Sequence, residues 1–138
     1  MKGNILLDTC AAIWITEDDR ISDEAEASLD ESLDTGQPVM LSPMTAWELG
    51  MLVARRRYSI SMTVQSWFDR LVESPNTGLA GLSPAILIQS SFLPGRPPSD
   101  PFDRVFIATA REYGYRLMTR DRKILDYAAQ GHVQVIAC

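Results

Sequence analysis

The chain has 138 residues, 46% of them apolar and 22% charged, and its 18 acids against 13 bases leave a formal net charge of −5. This describes one globular domain with a single core, spanning 1–138, and excludes wholesale disorder. A pI near 4.8 argues against a protein that grips nucleic acid by bulk positive charge.

Asn4-Ile5-Leu6-Leu7 is an apolar run suited to a short buried strand, and it stops at Asp8-Thr9. From Thr9, the residues Ala11 to Ile15 suit a short buried helix. Ser22 caps the next helix, whose first turn is acidic and which Gly36 ends. Pro38 to Leu41 reads as a second buried strand. Ser42 and Pro43 then form a cap and first helical residue, with Ala46, Leu49, Val53 and Ala54 recurring at helical spacing. Met62 to Glu73 is amphipathic, with Val64, Trp67, Phe68 and Leu71 on one side. Thr77 to Leu82 holds a weak strand signal, diluted by Gly78 and Gly81.

Ser83-Pro84 repeats the cap-then-proline start and leads into a helix toward Phe92. Leu93 to Pro98, with three prolines and a glycine, is a loop. Asp100-Pro101 opens a helix that runs through Val105, Phe106 and Ile107 to Gly114. Tyr115 to Thr119 is a strand, Asp121 to Ala129 a short helix, and Val133 to Ile136 the last strand. Apolar strands alternating with helices indicate an α/β protein whose parallel sheet, of four or five strands, is covered on both faces. Ligands of such sheets bind at the carboxyl ends of the strands, near the topological switch point.

That rule directs attention to the acids. Asp8 follows the first strand, and Asp121 follows the strand ending at Thr119 with Arg120 between. Glu48 lies early in the helix after the second strand, and Asp100 and Asp103 lie at the start of the helix before Gly114. A sheet edge brings such segments together. Clustered carboxylates repel one another, and a divalent metal, a shared proton or paired Arg and Lys must offset this. All-oxygen sites of this kind suit Mg²⁺ or Mn²⁺ and phosphoryl chemistry. Each acid also has a plain structural role open to it: Asp8 and Asp100 as helix caps, Glu48 as a solvated acid, Asp121 as a turn residue.

The set resembles a known family. Leu6-Leu7-Asp8-Thr9-Cys10-Ala11-Ala12-Ile13-Trp14 is similar to the opening motif of PIN-domain nucleases, and Leu41 to Leu49, with Glu48, to their second. Asp100-Pro101-Phe102-Asp103-Arg104-Val105 resembles the third motif and Leu117-Met118-Thr119-Arg120-Asp121-Arg122 the fourth. The four occur in the family's order and cover the chain from end to end. The likeness is strongest to the small bacterial toxins of VapBC-type toxin–antitoxin systems. Cys10 departs from the pattern, since many relatives carry His there.

The resemblance implies a three-layer α/β/α sandwich and a magnesium- or manganese-dependent ribonuclease acting on single-stranded or looped RNA. On this basis Asp8, Glu48, Asp103 and Asp121 are the acids of the site. Asp8 and Asp103 would hold the metal most directly, and Asp121 directly or through water. Glu48 would orient the attacking water or hold a second ion. Asp100, one turn before Asp103, either shares the metal or caps the helix. A co-encoded antitoxin and a homodimer are further family expectations, and a groove between the early helices is a place for an antitoxin helix. Most of Trp14, Trp47, Trp67 and Phe68 are expected in the core.

Arg104, Arg120, Arg122 and Lys123 are placed to meet RNA phosphates. Arg55-Arg56-Arg57 sits at a helix C-terminus, where basic residues favour the dipole and stay solvated. The lone histidine, His132, is expected to be structural or exposed. Two other classes compete. A haloacid-dehalogenase-type phosphotransferase also opens on a strand-end Asp, but Cys10 stands where its second acid or apolar residue belongs and its lysine is missing. A catalytically silent PIN-like binding module is the other, and a scaffold gains nothing from a self-repelling acid cluster. The start, Met1 to Asp8, reaches a carboxylate too soon for a secretory signal, and no apolar run nears the roughly 20 residues of a membrane span. With two cysteines and no CxxC pair, a cytoplasmic location is expected. Most of the excess acid falls in the stretch from Glu17 to Glu31, a solvated helical face.

Overall fold

Strand residues here alternate between two cores, so short apolar runs suffice to build a sheet buried on both faces. The computed structural model describes residues 2–138. Its strands are β1 (Ile5–Leu7), β2 (Val39–Leu41), β3 (Thr77–Leu79), β4 (Arg116–Thr119) and β5 (Gln134–Ala137). They form one five-stranded sheet in the order β3-β2-β1-β4-β5, with every pairing parallel. The weak strand signal at Thr77 is thus real, and it makes an edge of the sheet. The glycine that diluted it has a packing reason, because a Cβ at Gly78 would press on the Met40 thioether at 3.2 Å.

The helices are α1 (Thr9–Thr16), α2 (Asp23–Thr35), α3 (Pro43–Ala54), α4 (Val64–Glu73), α5 (Pro84–Gln89), α6 (Pro101–Tyr113) and α7 (Arg122–Ala128). Each starts on a side chain that accepts a first-turn amide: Asp8, Ser22, Ser42, Thr63, Ser83, Asp100 and Asp121. Gly36 and Gly114 end α2 and α6 in the left-handed region, at φ 72° and 70°. Arg55 caps the end of α3, and Arg56 lies at φ 56° beyond it, so the triple-arginine run is an exposed turn.

Ile5, Leu7, Leu41 and Met118 face one core, closed by Ala11 and Ile13 of α1, Ala25 of α2, Leu49 of α3, and Trp67 and Leu71 of α4. Leu6 and Leu117 face the other, closed by Val105, Phe106 and Ile107 of α6 and Ile124 and Tyr127 of α7. Helices therefore cover both faces of the sheet, which gives three layers. Chain order runs outward from β1 through β2 to β3, then jumps across to β4 and β5. The switch point lies between β1 and β4, and that crevice is where such sheets place a ligand. Among the described residues, no helix is long and apolar enough to cross a membrane.

Candidate functional site

Asp8 stands where β1 ends and α1 begins. Its Oδ1 accepts the Ala11 amide at 2.8 Å, and its own amide donates to the Met118 carbonyl of β4 at 3.2 Å. Asp121 repeats the arrangement after β4, its Oδ1 accepting the Lys123 and Ile124 amides at 2.8 and 3.2 Å. The Asp121 amide donates to the Thr119 hydroxyl at 3.0 Å. Asp100 takes the cap position of α6, accepting the Asp103 amide at 3.0 Å, and remains exposed. Asp103 in the first turn of α6 and Glu48 in α3 are both half-buried.

Two strand ends and two helices converge here. Asp8, Glu48, Asp100, Asp103 and Asp121 all line one cavity of about 320 Å³ at the carboxyl edge of the sheet. The four acids singled out in the sequence are in it, and so is Asp100. Each capping acid has one oxygen tied to helix amides, which leaves its second oxygen for another partner. Thr9 and Thr119, both buried, support the acids and had no motif of their own to announce them. Thr9 shares a hydrogen bond with Thr45 at 3.3 Å. The signal is a threonine close to each strand-end Asp, one residue after Asp8 and two before Asp121.

Electrostatics report the crowding. Asp8 is 7% exposed, and burial raises its pKa, offset in part by the Thr119 hydroxyl and the Ala11 amide. Glu48 is raised by burial and then by Asp100, Asp8 and Asp121, while the Thr9 hydroxyl pulls the other way. Asp103 is pushed up to about 7 by burial first and by the other four acids second. Cys10 also lines the cavity, and its thiol is pushed up to about 12 by desolvation and the surrounding acids. A thiol so held is no thiolate nucleophile at neutral pH. His132 precedes β5, at the opposite edge of the sheet, and its ring lies 5.5 Å from that of Tyr127.

Among the described residues two ion pairs form, Lys2–Glu31 and Arg122–Asp126, and neither includes a cavity acid. Arg120, in the same wall, eases the Asp8 carboxyl through space but is ion-paired with none of the five acids, so most of the repulsion is left to a shared proton or a bound cation. An all-carboxylate donor set fits a hard divalent cation such as Mg²⁺ or Mn²⁺. Among the described residues no three acid, Cys or His side chains stand close enough to form a ready coordination shell, so binding requires side chains to draw inward.

The raised pKa of Asp103 has a signed consequence. Between pH 3.8 and about 7 the folded state retains a proton that the unfolded chain has lost, so stability falls as pH rises through that window. In EDTA, Asp103→Asn and the parent protein should melt closest together near pH 4, and the advantage of the Asn variant should grow to several degrees by pH 8. Differential scanning calorimetry reads this directly; equal pH slopes for the two proteins would remove Asp103 from the repulsive cluster.

Residues 5–130 match the sequence profile of the PIN domain. The chain is 31% identical over 121 residues to Ribonuclease VapC22 of Mycobacterium tuberculosis, an alignment covering 87% of this chain and 88% of that protein. The fold is similar to that in the crystal structure of VapBC2 from Rickettsia felis bound to a promoter DNA fragment, with a TM-score of 0.67 and 14% identity over 96% of this chain and 97% of that one. It is also similar to FitAcB from Neisseria gonorrhoeae, with a TM-score of 0.58, 25% identity and 96% coverage of both chains. With its four motifs gathered at one sheet edge and a matching profile over most of its length, the chain belongs to the PIN-domain family.

Proposed function

We propose that this chain is a metal-dependent endoribonuclease, the toxin of a type II, VapBC-type toxin–antitoxin pair, working in the cytosol as a single domain. The observation that carries the reading is a set of five carboxylates, in no ion pair among the described residues, lining one cavity at the β1/β4 switch point. Likeness to a ribonuclease over 87% of the chain supports the same conclusion.

In this reading Asp8, Asp103 and Asp121 hold Mg²⁺ or Mn²⁺. Once bound, the ion would supply an acidified water and stabilise charge developing on the phosphate. Asp8 and Asp121 are fixed at two neighbouring strand ends by helix amides, so the spacing between them is set by the sheet. Asp103 approaches from α6 and closes the set. Glu48, half-buried on α3 in the same cavity, orients the attacking water and accepts its proton, and the burial and neighbouring acids that raise its pKa make it a stronger base. No histidine or thiolate takes part.

The test is incubation of the purified chain with total RNA in Mg²⁺, Mn²⁺ or EDTA. Fragments are expected in the first two and none in the third. Cleavage that persists in EDTA, or intact RNA in every buffer, would overturn the reading.

An antitoxin partner belongs to the same proposal, since the neighbouring solved structures are themselves VapBC and FitAB assemblies. A cavity of about 510 Å³ between α1 and α4, floored by Met62, Trp67 and Leu71, continues along α2 into a second of about 380 Å³ lined by Ile15, Leu29 and Leu33. That groove suits an amphipathic helix. A homodimer completes the proposal, with Ile88 and Phe92, 62% and 81% exposed at the end of α5, as its apolar surface.

A further inference from the structure

The four basic residues beside the acid motifs are built into the fold in different ways. Arg122 pairs with Asp126 at 3.4 Å on the exposed side of α7, with Lys123 exposed beside it. Arg104 donates to the Ser90 carbonyl at 3.3 Å. Among the described residues, Arg120 is the one cation in the wall of the acid cavity.

Its guanidinium is fixed by three contacts. Cζ stands 3.7 Å over the Trp14 ring. Nε donates to a main-chain oxygen of Cys138, the last residue described, at 3.1 Å and Nη2 to the Arg20 carbonyl at 3.0 Å. None of these partners is an acid of the cavity, although Asp121 is the next residue and four further acids line the same wall. Among the described residues no ion pair joins Arg120 to an Asp or Glu side chain. Arg120 eases the Asp8 carboxyl through space, yet it sits on no oxygen of the cluster. This side chain sits instead on an indole face and on main-chain oxygens of Arg20 and Cys138, both distant in sequence. Two of its five N–H groups are used, and the rest of a planar, immobilised fork remains available. A fork held in place in advance loses little freedom on binding, which is what bidentate phosphate recognition exploits.

We propose that Arg120, set on Trp14, is a substrate-binding residue that takes a phosphate of the RNA strand next to the one being cut. The proposal rests on the reading that this cavity hydrolyses RNA. A strand laid across five carboxylates is repelled along its length unless a fixed positive group meets it. Arg120 supplies that group at the edge of the reacting centre, and the chain's −5 excess leaves little bulk attraction to do so.

Binding is read separately from cleavage by using Asp103→Asn as an inactive background and a short, labelled, single-stranded RNA of mixed sequence in Mg²⁺. Fluorescence anisotropy across a salt series gives affinity and salt dependence. Adding Arg120→Ala should weaken binding about tenfold, as loss of a charge-assisted contact does. It should also lower the slope of log affinity on log salt by about 0.7, the contribution of one phosphate on a single strand. Arg120→Lys should restore the slope with intermediate affinity. Trp14→Leu keeps the charge and removes the platform, so the slope should hold while affinity drops about threefold.

An unchanged slope in Arg120→Ala, whatever its melting temperature, would make Arg120 a structural clasp and overturn the proposal. Should that variant fail to fold, a reduced slope in Arg120→Lys or unaltered affinity in Trp14→Leu overturns it instead. RNA binding with the Arg120-dependent slope but no cleavage by the parent protein would sink the nuclease reading alone. Cleavage with a slope indifferent to Arg120 would sink this inference alone.

Discussion

Replacing Asp8 by Asn is expected to reduce RNA cleavage by roughly 10²–10³-fold or more, the scale seen when a group stabilising transition-state charge is removed. The fold should survive. Asn is as good a helix cap as Asp, and its side-chain oxygen still accepts the Ala11 amide that Asp8 binds at 2.8 Å. Burial already disfavours charge at this position, and Asp121 adds repulsion. The neutral variant should therefore melt at the same temperature as the parent or above it when metal is chelated. Activity and stability moving in opposite directions is the signature of a site that holds strain for function. Asp8→Ala separates the two roles, since it loses the cap as well and should cost about 1 kcal/mol. If Asp8→Asn cut RNA at the parent rate, Asp8 would be a cap and nothing more.

The second large effect concerns the strand that carries the other strand-end acid. Leu117→Ala should destabilise the protein by about 3 kcal/mol, within the usual range for a buried leucine. The melting temperature should then fall by about 10 °C. Leu117 is fully buried in β4, between Leu6 of β1 and Val135 of β5, and packs into the core closed by α6 and α7. Neither neighbouring strand can collapse into the space without breaking its own register. Leu33→Ala, at a residue 63% exposed on α2, should change stability by no more than about 0.5 kcal/mol. Urea titrations would show a lower midpoint and an unchanged slope for Leu117→Ala. A cost below about 1 kcal/mol would mean that this core repacks freely.

These expectations depend on features of unequal legibility. Most helix starts were readable, because a cap is a local device: the side chain at Ser22, Ser42, Ser83 or Asp100 bonds an amide two or three residues ahead, whereas the Thr63 cap of α4 was not picked out. Gly36 and Gly114 were readable as helix ends for the same reason, since each occupies a left-handed position at the end of its own helix. β3 was faint because an edge strand of three residues contributes little apolar periodicity, and its glycine answers to Met40, far away in sequence. The tryptophans show the limit of periodicity. Trp67 is 8% exposed in the core, as expected, but Trp47, on a similarly apolar helix, is 59% exposed and meets the edge of the Phe102 ring.

The sequence by itself determined the α/β alternation, the caps, the strand-end placement of Asp8 and Asp121 and the four-motif likeness. All of these are written in neighbouring residues or in the order of segments. The tertiary structure alone decided that β4 lies beside β1, which brings acids separated by more than a hundred residues into one cavity. It also decided the degree of desolvation that raises Asp103, and the seat of Arg120 on Trp14 and a main-chain oxygen of Cys138. Burial and through-space charge depend on which distant segments pack together, whereas a hydrogen bond from one residue to another three places on does not. The net charge of −5 was fixed from the outset, but its meaning depended on where the chain placed one arginine among five acids.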